Sequence, residues 1–410
     1  MDGGGRPFGF VASTDQTEEA YVSVARTPLV PMFSGRPGRL YGILSTYPPT
    51  PCGLATFSAA LARGLEMNGA AVGIVRVADG LTTFDPRVLA EMDNGVPTSL
   101  AEAAATLSGF DVAIVQHDYG LYGGTDGDEI LDVLARLTVP SIVVAHTVPA
   151  EPTDHQREVL GAVAEAASAI VVMAQTARQR LCEGFDVDPS KVTTVPHGAA
   201  TPSGGYRPDR SGRPLLLTWG LLGPGKGIEW AIDAMAELED VVPRPRYVVA
   251  GRTHPKVLSS EGEAYRHMLE ARAWADGVAS SVTFDSAYRD LGSLTRLVQG
   301  ASVVVLPYDS RDQVTSGVLV DALAAGRPVV ATAFPHAVEL LTTGAGVVVP
   351  HGDAPALGHA LRRVLTEPGL AASMEHEAAR LAPAFAWSAV ASQYIGLADR
   401  VSASAKSVPA

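Results

Sequence analysis

The chain reads as two doubly wound α/β domains, each a parallel sheet with helices on both faces, set across a cleft. Three observations carry this expectation. Strand-like and helix-like stretches alternate along most of the 410 residues. The strand-like runs are continuously apolar, as in ASVVVLP (301–307), the pattern of strands buried on both sides. The alternation also stops and restarts around residues 199–213, AATPSGGYRPDRSGR, a Pro-, Gly- and Ser-rich stretch that composes a linker. Ligands of such sheets bind at the C-terminal ends of the strands, so the cleft is the expected site.

Composition supports two cores and narrows the function. Hydrophobic content is 47%, and 410 residues are too many for one small core. The net charge is −13, from 31 basic and 44 acidic residues. That excess argues against a nucleic-acid-binding face and against adsorption to an anionic membrane through bulk charge. Cys52 and Cys182 are the only cysteines, so a disulfide framework is not expected and a cytoplasmic, reducing location fits. There is no C-x-x-C pair and no H-E-x-x-H, so neither a structural zinc site nor zincin chemistry is expected. No apolar run approaches the ~20 residues a membrane span needs, and the first twenty residues lack a signal-peptide layout.

In order, residues 1–38 carry no sustained period and read as a flexible tail. RLYGILSTYPP (39–49) is a strand ending in a turn, and Gly53 opens a helix that runs to about Gly69. This is strand, glycine loop, helix, where the glycine lets backbone approach a ligand. It is not G-x-G-x-x-G, so the dinucleotide fingerprint is absent. AVGIVRVA (71–78) is the second strand, followed by a helix over about 98–107. DVAIVQH (111–117) is the third strand. The loop after it holds a D-x-D, Asp126 and Asp128, which reads as a solvated loop or helix cap rather than a metal site. SIVVAHT (141–147) ends in His146. Helices over 155–167 and 177–185 flank AIVVMAQ, and VTTVPHG (192–198) closes the half.

After the linker, PLLLTWG (214–220) is a strand and GLLGPGKG (220–227) a glycine-rich loop. Lys226 there is a cation at a helix start, suited to a phosphate. The alternative is a solvated loop lysine, and G-x-x-x-x-G-K-[ST] is not met because Gly227 follows the lysine. Further strands end at Gly251 and span 281–287, 301–307 and 345–350. Helices cover 228–238, 261–274, 291–300 and 355–365, and a last helix runs over 387–401 before a loose tail, 402–410.

One stretch organises the second half: LPYDSRDQVTSGVLVDALAAGRPVVAT (306–332). A strand ends, a polar loop follows, and a helix starts at Thr315, Ser316 and Gly317, with Val318 in its first turn. Such an end offers unpaired N–H groups and the positive pole of the helix dipole. An ordinary βαβ crossover has the same layout. Among strand-end histidines, His146 is open between a ligand contact and a core hydrogen bond, and His117 and His197 read as structural.

These motifs, namely PPTPCGLATF (48–57), AHT with His146, VPHG, GLLGPGKG, the helix at Trp387 and above all DQVTSGVLVDALAAGRPVVAT, resemble the retaining group-1 (family 4) glycosyltransferases. The resemblance covers residues 39–401. It implies the GT-B fold, two Rossmann-like doubly wound parallel-sheet domains facing across a cleft. The domains would be 39–205 on the acceptor side and 206–386 on the donor side. Helix 387–401 would pack back on the first. In the family's Glu-x7-Glu motif, Gln313 and Asp321 stand at the two acidic positions. Leu221 stands where the family often has an Arg.

The resemblance implies transfer of a hexosyl group from a nucleotide diphosphate sugar to a sugar, lipid or small-molecule acceptor. It leans to GDP-mannose and needs no cofactor and no metal. The catalytic group would be His146, Asp321 (holding the ribose) and Gln313 (at the sugar hydroxyls). The donor would rest on Gly53, Gly220, Lys226, Gly251, Arg252, Thr315, Ser316, Gly317 and Val318. The acceptor would lie near Leu54, Thr56, His117 and Tyr119. Front-face attack needs no protein nucleophile, so a neutral Gln313 is compatible with retention. Two other classes stay open: a nucleotide-sugar epimerase on the same fold, and an inactive sugar-nucleotide-binding scaffold.

Overall fold

The computed structural model describes residues 38–200, 212–287 and 289–407. The expected tail over 1–38 lies outside them but for its last residue, and the expected linker over 199–213 is described only at its two ends. The first sheet contains β1 (Leu40–Ser45), β2 (Ala71–Val77), β3 (Val88–Met92), β4 (Val112–His117), β5 (Ser141–Ala145), β6 (Ala169–Val172) and β7 (Val192–Thr194). Their order is β3-β2-β1-β4-β5-β6-β7, and every pairing is parallel. Five helices link these strands: α1 (Gly53–Met67), α2 (Pro97–Leu107), α3 (Ile130–Leu134), α4 (Asp154–Ala166) and α5 (Gln175–Gly184).

The second sheet repeats the plan. β8 (Leu215–Trp219), β9 (Arg246–Ala250), β10 (Val282–Asp285), β11 (Val303–Leu306), β12 (Val329–Thr332) and β13 (Gly346–Val349) lie in the order β10-β9-β8-β11-β12-β13. They too are parallel throughout. The helices here are α6 (Ile228–Ala234), α7 (Pro255–Glu261), α8 (Ala264–Ala275), α9 (Leu291–Gly300) and α10 (Gly317–Ala324). α11 (Pro335–Leu341), α12 (Ala354–Thr366), α13 (Leu370–Phe385) and α14 (Trp387–Ser407) follow.

The apolar runs explain both sheets. Strands β1, β2, β4, β5, β6, β8, β11 and β12 are buried at nearly every position, because each has helices on both faces. In each sheet the chain reverses its direction of winding beside the first strand. β1 lies between β2 and β4, and β8 between β9 and β11. The loops leaving these central pairs diverge and open a crevice at the strand ends. In the first domain those loops hold Gly53 and the residues after His117. In the second they hold Gly220 to Gly227 and the loop from Pro307 to Ser316.

Several elements depart from the expectation. β3 was not foreseen, nor were α7, α11 and α13. The final helix passes Val401 and continues to Ser407, so residues 402–407 are helical where a loose tail was expected. The Arg39 guanidinium holds this part down, on Ser402 Oγ at 2.5 Å and Asp399 Oδ1 at 2.7 Å. α14 lies on the first domain: Val390, Ala391, Tyr394 and Leu397 join the core formed by Tyr41, Phe57, Leu61 and Leu65.

The two domains also grip each other near the strand ends. The Glu339 carboxylate of α11 accepts the N–H groups of Gln175 (2.9 Å) and Thr176 (3.1 Å) at the start of α5. One turn along α5, Arg180 Nη1 donates to the Asp312 carbonyl at 3.0 Å. Val314, two residues on, is packed into the first domain's core, 4% exposed.

Candidate functional site

The second domain's crevice is built on the loop after β8. Gly227 takes a left-handed conformation (φ 61°) and caps α6. A β-carbon there would overlap the Pro307 carbonyl, so only glycine lets this loop lie against the end of β11. The Asp309 N–H donates to the Gly225 carbonyl at 3.0 Å and fastens the loop. Gly251, at φ 155°, likewise leaves no room for a β-carbon against the Gly220 carbonyl, which brings those two strand-end glycines together. Arg252 Nε reaches the Ser286 carbonyl at 3.4 Å.

This placement sets Lys226 half-buried, with Nζ 4.8 Å from the centroid of the Tyr308 ring. Burial lowers its pKa from the ordinary lysine value. Among the described residues no carboxylate pairs with it. A desolvated ammonium with an aromatic face beside it and no counter-charge suits an anion.

Helix α10 begins close by. Ser316 is its N-cap, and every polar group of this residue is engaged within the protein. Its N–H donates to His336 Nδ1 at 2.9 Å, and its Oγ accepts from Leu319 N at 3.3 Å and faces the Tyr308 hydroxyl. Gly317 and Val318 are the first two helical residues, so their N–H groups have no partner within the helix. The His197 imidazole lies against Gly317, where a β-carbon would come within 2.9 Å of the ring. The Thr315 hydroxyl is buried with no partner among the described residues. The Gln313 amide folds back and donates to the Thr315 carbonyl at 3.0 Å.

On the first-domain side, three imidazoles lie at the strand ends. His146 shares a 2.6 Å hydrogen bond between Nε2 and Gln116 Oε1, and the Phe57 ring meets it edge-on at 4.9 Å. Phe57 touches His197 in the same manner at 5.1 Å, so His146, Phe57, His197 and Gly317 form one line of contact across the domains. Burial pushes His146 down to about 3 and His117 and His197 to about 4, so all three are neutral near pH 7. His117 is fully buried, and neither ring nitrogen has a partner among the described residues. Tyr119 meets its ring edge-on at 5.4 Å. Gly53 and Thr56 are exposed at the start of α1, and Leu54 packs against the core that also receives Val314.

Asp321 stands apart from these contacts, just over one turn into α10. It faces a small cavity lined by Trp219, Leu294, Val298 and Ala325. Burial pushes its carboxyl up to about 7, against an opposing hydrogen bond from the Ala200 N–H. The D-x-D residues lie elsewhere: Asp126 accepts from His155 Nδ1 at 3.0 Å, and no metal-holding cluster of His, Cys, Asp or Glu occurs among the described residues.

Comparison with known proteins agrees with this layout. Residues 213–367 match the family model described as Glycosyl transferases group 1. The second domain is a group 1 glycosyltransferase domain. The chain is 30% identical over 187 residues to alpha-D-kanosaminyltransferase of Streptomyces kanamyceticus, covering 45% of each chain. It is 27% identical over 288 residues to D-inositol 3-phosphate glycosyltransferase of Corynebacterium glutamicum, covering 63% of this chain and 66% of that one. It is 28% identical over 225 residues to phosphatidyl-myo-inositol mannosyltransferase of Mycobacterium leprae, covering 53% and 56%. The chain thus spans about half to two thirds of the length of the curated relatives it matches. Among solved structures, HepE of Anabaena in complex with UDP and glucose aligns with a TM-score of 0.70 at 16% identity, over 88% of this chain and 100% of that one. A glycosyltransferase from Rickettsia africae aligns with a TM-score of 0.71 at 12% identity, over 89% and 98%. The fold is GT-B, with two Rossmann-like domains.

Within the glycosyltransferase domain, Tyr308 and His336 were missed by reasoning from sequence, as was Gln116 in the first domain. None has a local signature. Tyr308 matters because it touches Lys226 and Ser316, and His336 because it occupies the Ser316 N–H. Both contacts arise only on folding.

Proposed function

We propose that the protein is a retaining glycosyltransferase that moves a hexosyl group from a nucleotide diphosphate sugar to a sugar, lipid or small-molecule acceptor, without a required metal. The observation that carries this reading is Lys226: a half-buried ammonium with no carboxylate partner among the described residues, set on the Tyr308 ring of the loop that leads into the helix start at Gly317 and Val318. A diphosphate would rest on these three groups. They would stabilise the charge that develops as it leaves, which is electrostatic catalysis by groups already in place. Ser316 keeps that helix end in shape rather than binding the donor itself.

His146 would meet the sugar as a neutral hydrogen-bonding group, since an imidazole with a pKa of about 3 does not act as a general acid near neutrality. Gln313 would turn its amide from the Thr315 carbonyl to the sugar hydroxyls. Asp321 would hold the ribose in the bound state. The acceptor would lie by Gly53 to Thr56 and Tyr119. We favour mannose as the hexosyl group and GDP as the carrier; similarity to the phosphatidyl-myo-inositol mannosyltransferase of Mycobacterium leprae supports mannose. A polyol or its phosphate is the acceptor class we favour, by the names of the inositol-directed relatives. No helix of the described residues is long and apolar enough to cross a membrane. Two unpaired cysteines support a reaction in the cytoplasm.

Incubation with GDP-mannose, UDP-glucose and ADP-glucose, in chelator, with a panel of inositol phosphates tests the reading. Acceptor-dependent release of one nucleoside diphosphate, with the donor's anomeric configuration kept in the product, is expected. Release without acceptor and with an altered free sugar would replace the reading with the epimerase. Binding without any turnover would replace it with a scaffold.

A further inference from the structure

We infer that Tyr308 is a positioning residue for the diphosphate, a brace that fixes Lys226 and the start of α10 relative to each other. The inference rests on the proposed function and deepens it. Tyr308 is only 2% exposed, so it acts through its neighbours and not by touching the ligand. The Lys226 ammonium sits over its ring at 4.8 Å. Its hydroxyl faces the Ser316 side chain, the N-cap of α10. The two anion-facing elements lie ninety residues apart in sequence, and one side chain links them.

The brace is itself held on several sides. Phe334 stacks on the ring with centroids 5.2 Å apart. The Tyr308 carbonyl accepts from Thr332 Oγ1 at 2.6 Å and His351 Nδ1 at 2.8 Å. The next residue ties to the helix that the glycine loop opens: Asp309 Oδ1 accepts from Trp230 Nε1 of α6 at 2.7 Å. An aromatic face is the chemically apt holder for this lysine. A carboxylate would orient the ammonium and also neutralise it. The ring's quadrupole attracts the cation with no net charge of its own, so the positive charge stays available to phosphate.

Calorimetric titration with GDP, UDP and ADP tests this in wild type, Tyr308→Leu, Lys226→Met and the double variant. Wild type should bind one of the three. Tyr308→Leu should weaken that binding about tenfold, the loss expected when a desolvated cation–π contact and the polar contact with Ser316 go together. In the Lys226→Met background the same change should cost only about threefold, the share that runs through Ser316, because the lysine it positions is gone. A full tenfold loss in both backgrounds would show a general packing role and overturn the inference. So would undiminished binding by Tyr308→Leu. If Tyr308→Leu does not fold, Tyr308→Phe keeps the ring and the volume and removes only the hydroxyl. It should weaken binding about threefold through the Ser316 link, and wild-type affinity in that variant would overturn the Ser316 half of the brace. Failure of wild type to bind any of the three nucleotides would instead sink the underlying donor assignment.

Discussion

The two crevices share a topology and differ in chemistry. Each opens where a sheet reverses its winding, between β1 and β4 in the first domain and between β8 and β11 in the second. The second is lined by glycine backbone, a helix start and an ammonium with no carboxylate partner among the described residues. The strand ends at the first carry imidazoles that burial keeps neutral, His146 half-buried and His117 wholly enclosed. One scaffold therefore carries different chemistry on its two walls, and the proposed function gives the anion to one and uncharged hydroxyl groups to the other. The difference lies in what the strand-end loops carry and not in the sheets, which is how a common fold hosts distinct roles.

The comparison breaks most visibly at Lys226. Lys226→Ala should lower kcat/KM about 100-fold or more, the loss typical of a preorganised group at a developing charge. A loss below about threefold would remove the anion from the second crevice. On the other wall, His146→Ala should lower kcat about tenfold, as for loss of a hydrogen bond to a reacting substrate. The pH–rate profiles of wild type and variant should have the same shape between pH 5.5 and 8, because the imidazole does not titrate there. A basic or acidic limb that disappears in the variant would make His146 a proton donor or acceptor.

The buried histidines of both domains and Asp321 should affect stability with opposite pH dependence. His117, His146, His197 and His336 all fall from 6.5 to about 3 or 4 on burial. Between those values and 6.5 the unfolded chain binds their protons and the native state does not, so stability falls as pH drops through this window. Asp321 opposes them. Its carboxyl is raised from 3.8 to about 7, so the stability it contributes is present at low pH and lost as pH rises through about 7. Four groups outweigh one, and the Tm of wild type should fall on acidification from pH 6.5 to 4.5. Asp321→Asn should gain Tm relative to wild type on going from pH 6 to pH 8.5, and a constant difference would mean the carboxylate is well solvated. The smallest effect should be at Glu339: Glu339→Ala removes a carboxylate from the start of α5 and should cost about 1 kcal/mol by thermal unfolding.

Much of the scaffold was legible in the sequence because both sheets are buried on two faces. VAIVQH or VVVL leaves little choice but a central parallel strand. What escaped notice lacks that signature. β3 is an edge strand, half-buried for most of its length. α7 buries none of its residues, and α11 is only seven residues long. α14 runs past Val401 through a Ser- and Ala-rich segment whose composition resembles a tail, because Arg39 on the far side of the chain secures it. The site follows the same rule. Lys226 and Gly317 stand in local patterns, glycine loop and helix start, and could be singled out. Ser316 could be singled out too, but no local pattern tells that Tyr308 and His336 already engage it. The folded-back amide of Gln313 is equally a product of the loop's final shape.

The central claim is that the second domain's crevice holds a diphosphate through Lys226. Calorimetric titration of wild type and Lys226→Ala with GDP, UDP and ADP, without added metal, tests it most directly. The account predicts micromolar binding of one nucleotide by wild type and a loss of about 100-fold or more in the variant. Equal affinity of the two proteins for that nucleotide would contradict it.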